Sequence, residues 1–341
     1  MGSPFEDSKT MRTITLEEHY ATPAFLEGPG RQIKNRAQAV HDHPEVATGL
    51  QTLLARLCDL GDRRIADMDA AGIDMQVLSL TSPGTEQLDA SDAVALARDV
   101  NDALAEAVRR HPSRFAGFAA LPTAVPNVAA DELERTISTY GFKGALINGH
   151  SRGRYLDDPF FWPILERAEA LQVPLYLHPT PPPAEVIAAS YTGHFAPAVT
   201  AALSTSAWGW HIETALHVLR LILGGAFDRY PRLQVIIGHM GEALPFMLPR
   251  IDFGLPAQVT KLARPIGAYL RENLFYTFGG FNYLPTFLDL LLQVGVTRIM
   301  FSADYPYSPM EAARTFLEQL PISPADKEQI AHGNAERLLH L

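Results

Sequence analysis

Residues 75–80 read Met-Gln-Val-Leu-Ser-Leu, residues 93–110 read AVALARDVNDALAEAVRR, and residues 115–119 read Phe-Ala-Gly-Phe-Ala. The first and last runs are almost wholly apolar, as strands buried on both faces must be. The middle run spaces its apolar residues at helical intervals, ends on Arg109 and Arg110, and is stopped by His111-Pro112. A strand, a helix and a second strand in that order imply parallel neighbours, because parallel pairing needs a crossover connection. The unit recurs in both directions. Further strands are expected at Thr13–Leu16, Gly144–Ile147, Leu175–Leu177, Val235–Ile237, Leu274–Tyr276 and Arg298–Phe301. Helices are expected at Asn127–Tyr140, Pro159–Leu171, Ile212–Gly224 and Leu284–Gly295. Eight strands alternating with helices match an α/β (β/α)8 barrel, the TIM barrel. An open doubly wound sheet is the runner-up. Against it, Glu17, Glu18 and His19 follow the first strand, where a glycine-rich phosphate loop belongs.

The chain of 341 residues fits one such domain, expected over residues 12–341 behind a polar, flexible tail at 1–11. A hydrophobic content of 47% excludes a disordered chain. No uninterrupted apolar run is long enough for a membrane helix, so no membrane partner is expected. Formal charge is -10 and basic residues form no cluster, which argues against nucleic acid. The single Cys58 excludes an internal disulfide and a multi-cysteine metal site, and fits a reducing cytoplasm. Two connections are long, Thr22–Asp59 after the first strand and Thr180–Ser204 after the fifth. Both follow strand C-termini, the face where barrels keep their chemistry, so both are expected to be functional loops.

Ionisable residues gather at those same strand ends. The first strand ends in Leu16-Glu17-Glu18-His19, the fifth at His178, the sixth at His239 with Glu242 following, and the eighth at Asp304. Glu17 and His19 are two apart, so in extended backbone they share a face while Glu18 points away. Imidazoles and carboxylates crowded at one rim need a cation or mutual pairing to offset their desolvation. Mixed nitrogen and oxygen donors without thiolates suit one catalytic divalent ion, Zn²⁺ or Mn²⁺.

Four separated segments then carry a resemblance: Leu16-Glu-Glu-His-Tyr20, Tyr176-Leu-His-Pro179, Gly238-His-Met-Gly-Glu242 and Phe301-Ser-Ala-Asp-Tyr-Pro306. With Phe115–Pro122, Gly141–Asn148 and Gly333–Arg337, the chain from Thr13 to Leu341 resembles the amidohydrolase superfamily. The closer likeness is to its metal-dependent decarboxylase branch, that of γ-resorcylate, 2,3-dihydroxybenzoate and aminocarboxymuconate-semialdehyde decarboxylases. The resemblance implies that Glu17, His19, His178 and Asp304 hold the metal. It makes Asp304, His239 and Glu242 the catalytic groups and sets Arg250 against the substrate, with His239 also in contact. Asn148 and Tyr305, at strand ends, are candidates for lining the pocket, with scaffold hydrogen bonding the favoured role for each. A homodimer or homotetramer is also implied.

The chain departs from that pattern at Pro179-Thr180-Pro181-Pro182, where the resorcylate enzymes commonly carry Pro-Arg-Asn-Pro. His150, Arg152 and Arg154 are candidates for restoring the missing charge, or else solvated loop residues. Segment Tyr276–Phe281 replaces a more polar family sequence. Two enzymatic readings share nearly every residue. One is non-oxidative decarboxylation of a hydroxylated aromatic or related unsaturated carboxylic acid, with Asp304 as proton donor. The other is hydrolysis of a lactone, ester or amide by metal-activated water. A non-catalytic binding barrel is third, since no ligand of the pattern is missing.

Overall fold

The structure is a computed structural model, and it describes residues 11–39 and 44–341. Its strands are β1 (Ile14–Tyr20), β2 (Met75–Leu80), β3 (Phe115–Gly117), β4 (Ala119–Ala120), β5 (Ala145–Asn148), β6 (Leu175–His178), β7 (Val235–Ile237), β8 (Leu274–Thr277) and β9 (Ile299–Met300). Every pairing is parallel, in the orders β1-β2-β3 and β4 through β9. The third expected strand is split at Phe118, whose N–H donates to Leu78 while that of Ala119 donates to Gly144. The ring closes where Leu16 bridges Ser302 in parallel and its N–H donates to Phe301 at 3.2 Å. The sheet is therefore a barrel.

Strand alternation sorts the core into two layers. Ile14, Leu16, Val77, Phe118, Leu146, Tyr176, Ile236, Phe275 and Met300 form one buried cluster inside the barrel. Their chain neighbours Leu78, Ile147, Leu175, Leu177 and Ile237 belong to a second cluster under the helices. The helix Ala90–Arg110 shows why the pattern is legible. It buries Ala93, Ala97, Val100, Leu104 and Ala107, spaced three or four apart. Helix Pro126–Tyr140 begins with proline in its first turn and ends at Gly141 in the left-handed region, both of which suit those positions.

The two long connections are not open loops. The first carries helices Pro23–Glu27, Arg31–Ala39 and Pro44–Leu57, with residues 40–43 outside the described residues. The second carries Ala184–Ser190 and Pro197–Leu203, neither of which buries a residue. The expected tail lies largely outside the described residues, and Met11 accepts a hydrogen bond from Arg314 through its carbonyl.

Candidate metal centre

The backbone departs from regularity where the chemistry gathers. Thr15 pairs with Gln76 and Glu18 with Leu78, so β1 spends three steps where β2 spends two. The extra residue is a bulge at Glu17, whose φ is 67°. In a regular strand, with Leu16 inside, Glu17 would face the helices. The bulge turns it inward instead. Asp304 (φ 63°), His239 (52°) and Glu242 (55°) also occupy the left-handed region, which non-glycine residues adopt at a cost of about 1 kcal/mol or more each. Such strain gathered at one barrel rim marks a functional site.

Inside the rim, Glu17 Oε2 accepts from the Tyr176 hydroxyl at 2.5 Å and the Thr277 hydroxyl at 3.0 Å. Its other oxygen, Oε1, is fully buried without a hydrogen-bond partner. That oxygen stands 3.7 Å from His178 Nε2 and 3.6 Å from His239 Nε2. Both ring nitrogens of His19 are likewise buried and unpartnered, and Nε2 lies 3.2 Å from Asp304 Oδ1. The His19 and His178 rings meet edge to face at 4.8 Å. Buried polar atoms left unpaired are costly unless something absent from the protein part satisfies them. Two imidazoles and two carboxylates converging on such atoms fit a divalent cation of the Zn²⁺ or Mn²⁺ type. Two glycines leave the room. A Cβ at Gly238 would sit 2.5 Å from Glu17 Oε1, and one at Gly279 would sit 2.7 Å from Oε2.

Behind the donors stands a second layer. His178 Nδ1 lies 3.0 Å from Asn148 Oδ1, so Nδ1 carries the proton and Nε2 keeps its lone pair for the centre. Burial holds the His178 pKa well below its ordinary value, aided by the neighbouring imidazoles. Opposite, His239 Nδ1 lies 2.7 Å from Glu242 Oε1, and His211 Nδ1 lies 2.6 Å from Glu242 Oε2. Burial works against a charge on His239, but Glu242 and then Glu17 outweigh it and push its pKa up to about 10. A cation beside Glu17 would offset part of that push. His211, His239 and Glu242 also bring donor atoms within 4.8 Å of one another. Each Glu242 oxygen there already lies within hydrogen-bond distance of an imidazole Nδ1, whereas Glu17 Oε1 and the His19 nitrogens make no hydrogen bond.

The remaining expected residues fall elsewhere. Tyr305 turns away from the rim: its hydroxyl donates to Asp67 at 2.7 Å and Arg64 lies over its ring, so it is scaffold rather than pocket lining. Arg250 is exposed on helix Leu244–Gly254, its guanidinium over Phe253. Asn148 is fixed to His178. His150 Nδ1 accepts from the Gly153 N–H and Nε2 lies 3.2 Å from the Pro181 carbonyl oxygen, while Arg152 pairs with Asp89 and Arg154 with Asp158. None of these three supplies a free cation to the rim.

Sequence reasoning passed over Glu18, Gln76, Arg64, His211 and Glu86, all buried. Only Glu18 sat beside a signal. Glu86 Oε1 accepts from the Asn148 N–H at 2.9 Å, while Oε2 has no partner. Burial pushes its pKa from 4.5 to about 7, against the pull of the Asn148 amide. A carboxyl raised in the folded state stabilises through its neutral form. That contribution is whole below pH 4.5 and is lost as pH rises through about 7. Glu86→Gln is therefore expected to match the parent near pH 5 and to exceed it by about 2–3 kcal/mol at pH 8. Denaturant unfolding of the metal-free proteins at both pH values checks this. A stability difference independent of pH would refute it.

The amidohydrolase family profile matches residues 39–341. The chain is 40% identical to γ-resorcylate decarboxylase of Polaromonas sp. over 342 residues, covering 96% of this chain and 98% of that protein. It is 37% identical to the Rhizobium radiobacter enzyme of the same name, with the same coverage of each. Among solved structures it is similar to a dihydroxybenzoic acid decarboxylase of Polaromonas sp. holding manganese and 2-nitroresorcinol (TM-score 0.87, 39% identity, 97% of each chain). It is also similar to 5-carboxyvanillate decarboxylase of Novosphingobium aromaticivorans with manganese and 4-hydroxy-3-methoxy-5-nitrobenzoic acid (TM-score 0.88, 35% identity, 98% of each chain). A closed parallel barrel, buried carboxylates and imidazoles converging at its rim, and likeness along almost the whole chain agree: the protein belongs to the amidohydrolase family.

Proposed function

We propose that this chain is a metal-dependent carboxy-lyase that removes CO₂, without oxidation, from a hydroxylated aromatic carboxylic acid. The observation that carries the reading is the set of unpartnered buried donors on Glu17 and His19, together with Asp304 at the same centre. Glu17, His19, His178 and Asp304 would hold one divalent ion, Mn²⁺ or Zn²⁺. When bound, the ion supplies a Lewis acid that orients the substrate's oxygens and draws electron density from the ring. Asp304 is the least buried of the four, its side chain 17% exposed, so it alone has ready access to both a substrate and a source of protons. Its carboxyl proton goes to the ring carbon bearing the carboxylate. The bond from that carbon to the carboxylate then breaks, its electrons return to the ring, and CO₂ leaves. His239, held by Glu242, faces the developing charge. Phe281, at 5.3 Å from the His239 ring, and Tyr307, at 5.5 Å from that of His19, offer aromatic walls on either side.

Hydrolysis is the weaker reading, because relatives at 35–40% identity along the chain are named decarboxylases. Carboxyl-¹³C-labelled 2,6-dihydroxybenzoate and related hydroxybenzoates, given to the Mn²⁺-loaded protein in D₂O, test the proposal. The expected products are labelled CO₂ and a phenol deuterated once, at the carbon that lost the carboxylate. Absence of labelled CO₂ from every hydroxybenzoate at full metal occupancy would overturn it.

A homodimer or homotetramer is part of the proposal. Phe246, Phe253 and Leu292 are 74%, 77% and 85% exposed on the helices Leu244–Gly254 and Leu284–Val294, which pack together, and such a surface favours association. A cytoplasmic location is proposed from the lone Cys58, free and exposed. No helix among the described residues is long and apolar enough to cross a membrane.

A further inference from the structure

We infer that Glu18 is a positioning residue of the metal centre, fixing Asp304 by clamping the backbone on both sides of it; this rests on the ligand set proposed above. Glu18 lies on the opposite side of β1 from the centre and is fully buried, so it cannot touch a substrate. Its Oε1 accepts from the Ala303 N–H at 2.9 Å and its Oε2 from the Tyr305 N–H at 3.1 Å. Between those two amides stands Asp304 with φ 63°, in the left-handed region that residues bearing a Cβ uncommonly adopt. Paired bonds to one carboxylate supply what the local backbone lacks. Burial pushes the Glu18 pKa up, and the two amides pull it down. Each oxygen thus holds one of the two amides that flank Asp304.

The clamp has an anchor at its other end. Gln76 Nε2 lies 3.4 Å from Glu18 Oε2, and Gln76 Oε1 accepts from Arg64 Nη1 at 3.2 Å. Arg64 Nη2 donates to the main-chain carbonyl of His19 at 2.7 Å. One buried chain, Arg64–Gln76–Glu18, thus ties the backbone of His19 to the backbone around Asp304. Those are the two residues whose side chains meet at 3.2 Å. That chain reinforces, from outside the barrel interior, the direct main-chain bond from the His19 N–H to the Tyr305 carbonyl at 2.7 Å.

The test uses Glu18→Gln, which keeps volume but turns an N–H₂ toward one of the amides, and Glu18→Asp, which keeps charge but shortens the reach. Mn²⁺ dissociation constants are measured on the metal-free proteins by chelator competition, and kcat and KM at saturating Mn²⁺. The expected result is an Mn²⁺ dissociation constant at least about tenfold higher in both variants. Added Mn²⁺ should restore occupancy but leave kcat at least about tenfold down, with KM within about threefold of the parent. A purely structural role would lower the melting temperature and leave affinity and kcat of the folded protein intact, which would overturn the inference. So would failure of both variants to fold, since Glu18 would then serve the barrel and not the site. The affinity arm needs no substrate and survives a wrong substrate class. A parent protein that binds no Mn²⁺ would bring down the ligand set and this inference together.

Discussion

Asp304→Asn is expected to leave the barrel folded and to lower kcat by about 10³-fold or more at full metal occupancy. The side chains are nearly isosteric and Asp304 is partly exposed, so packing changes little. An amide, however, has no acidic proton for the ring carbon. A loss of about 10³ corresponds to about 4 kcal/mol of transition-state stabilisation, within the range of one positioned proton donor. Because that contact exists only in the transition state, kcat and kcat/KM should fall together while KM stays near the parent value. The measurement is steady-state release of CO₂ at an Mn²⁺ concentration shown by metal analysis to saturate the variant. A kcat within tenfold of the parent under those conditions would transfer the donor's role to another group. His239, whose Nε2 stands 3.6 Å from the unpartnered oxygen of Glu17 and which is outside the proposed ligand set, is the next candidate.

How far the sequence announced this site depends on the residue. His178 was legible because a regular strand has period two: Tyr176 faces the barrel interior, and so must the residue two further on. The strands at Met75–Leu80 and Val235–Ile237 were legible to the residue, since continuous apolar runs bounded by turns leave little choice. Glu17 was placed inside by a shorter argument than the structure needs. Spacing relative to His19 put the pair on one face, but spacing relative to Leu16 puts Glu17 outside. Only the bulge, which no local pattern announces, reconciles the two. Glu18 was set aside for pointing away, and pointing away is what lets it hold the Asp304 backbone. His211 and Glu86 were illegible because each acts through a partner far off in the chain. The connection Thr22–Asp59 reads as loop because its first helix, Pro23–Glu27, is five residues long and both it and Pro44–Leu57 begin on prolines, which resemble loop punctuation.

Glu17→Gln is expected to move stability in opposite directions with and without metal. In the metal-free protein Glu17 is fully buried and Oε1 has no hydrogen-bond partner, and burial raises its pKa, opposed by His239. Glutamine of the same shape keeps an oxygen for Tyr176 and Thr277 and removes the buried charge. Its metal-free form should therefore unfold at a temperature equal to or above that of the parent. The parent gains from metal by mass action, about 2.7 kcal/mol when free Mn²⁺ is a hundredfold above the dissociation constant. The variant should lose most of that gain, because a neutral amide replaces an anionic ligand at a centre whose other donors include two uncharged imidazoles. Turnover should disappear with it. Thermal unfolding of both proteins, with chelator and with Mn²⁺, separates the two effects: the curves should cross, the variant above in chelator and below in metal. A variant that Mn²⁺ stabilises as strongly as the parent would show that the ion does not sit on Glu17. If chelator alone already leaves the variant far less stable, Glu17 is holding the barrel together through Tyr176 and Thr277, and its buried charge is no reservoir for a cation.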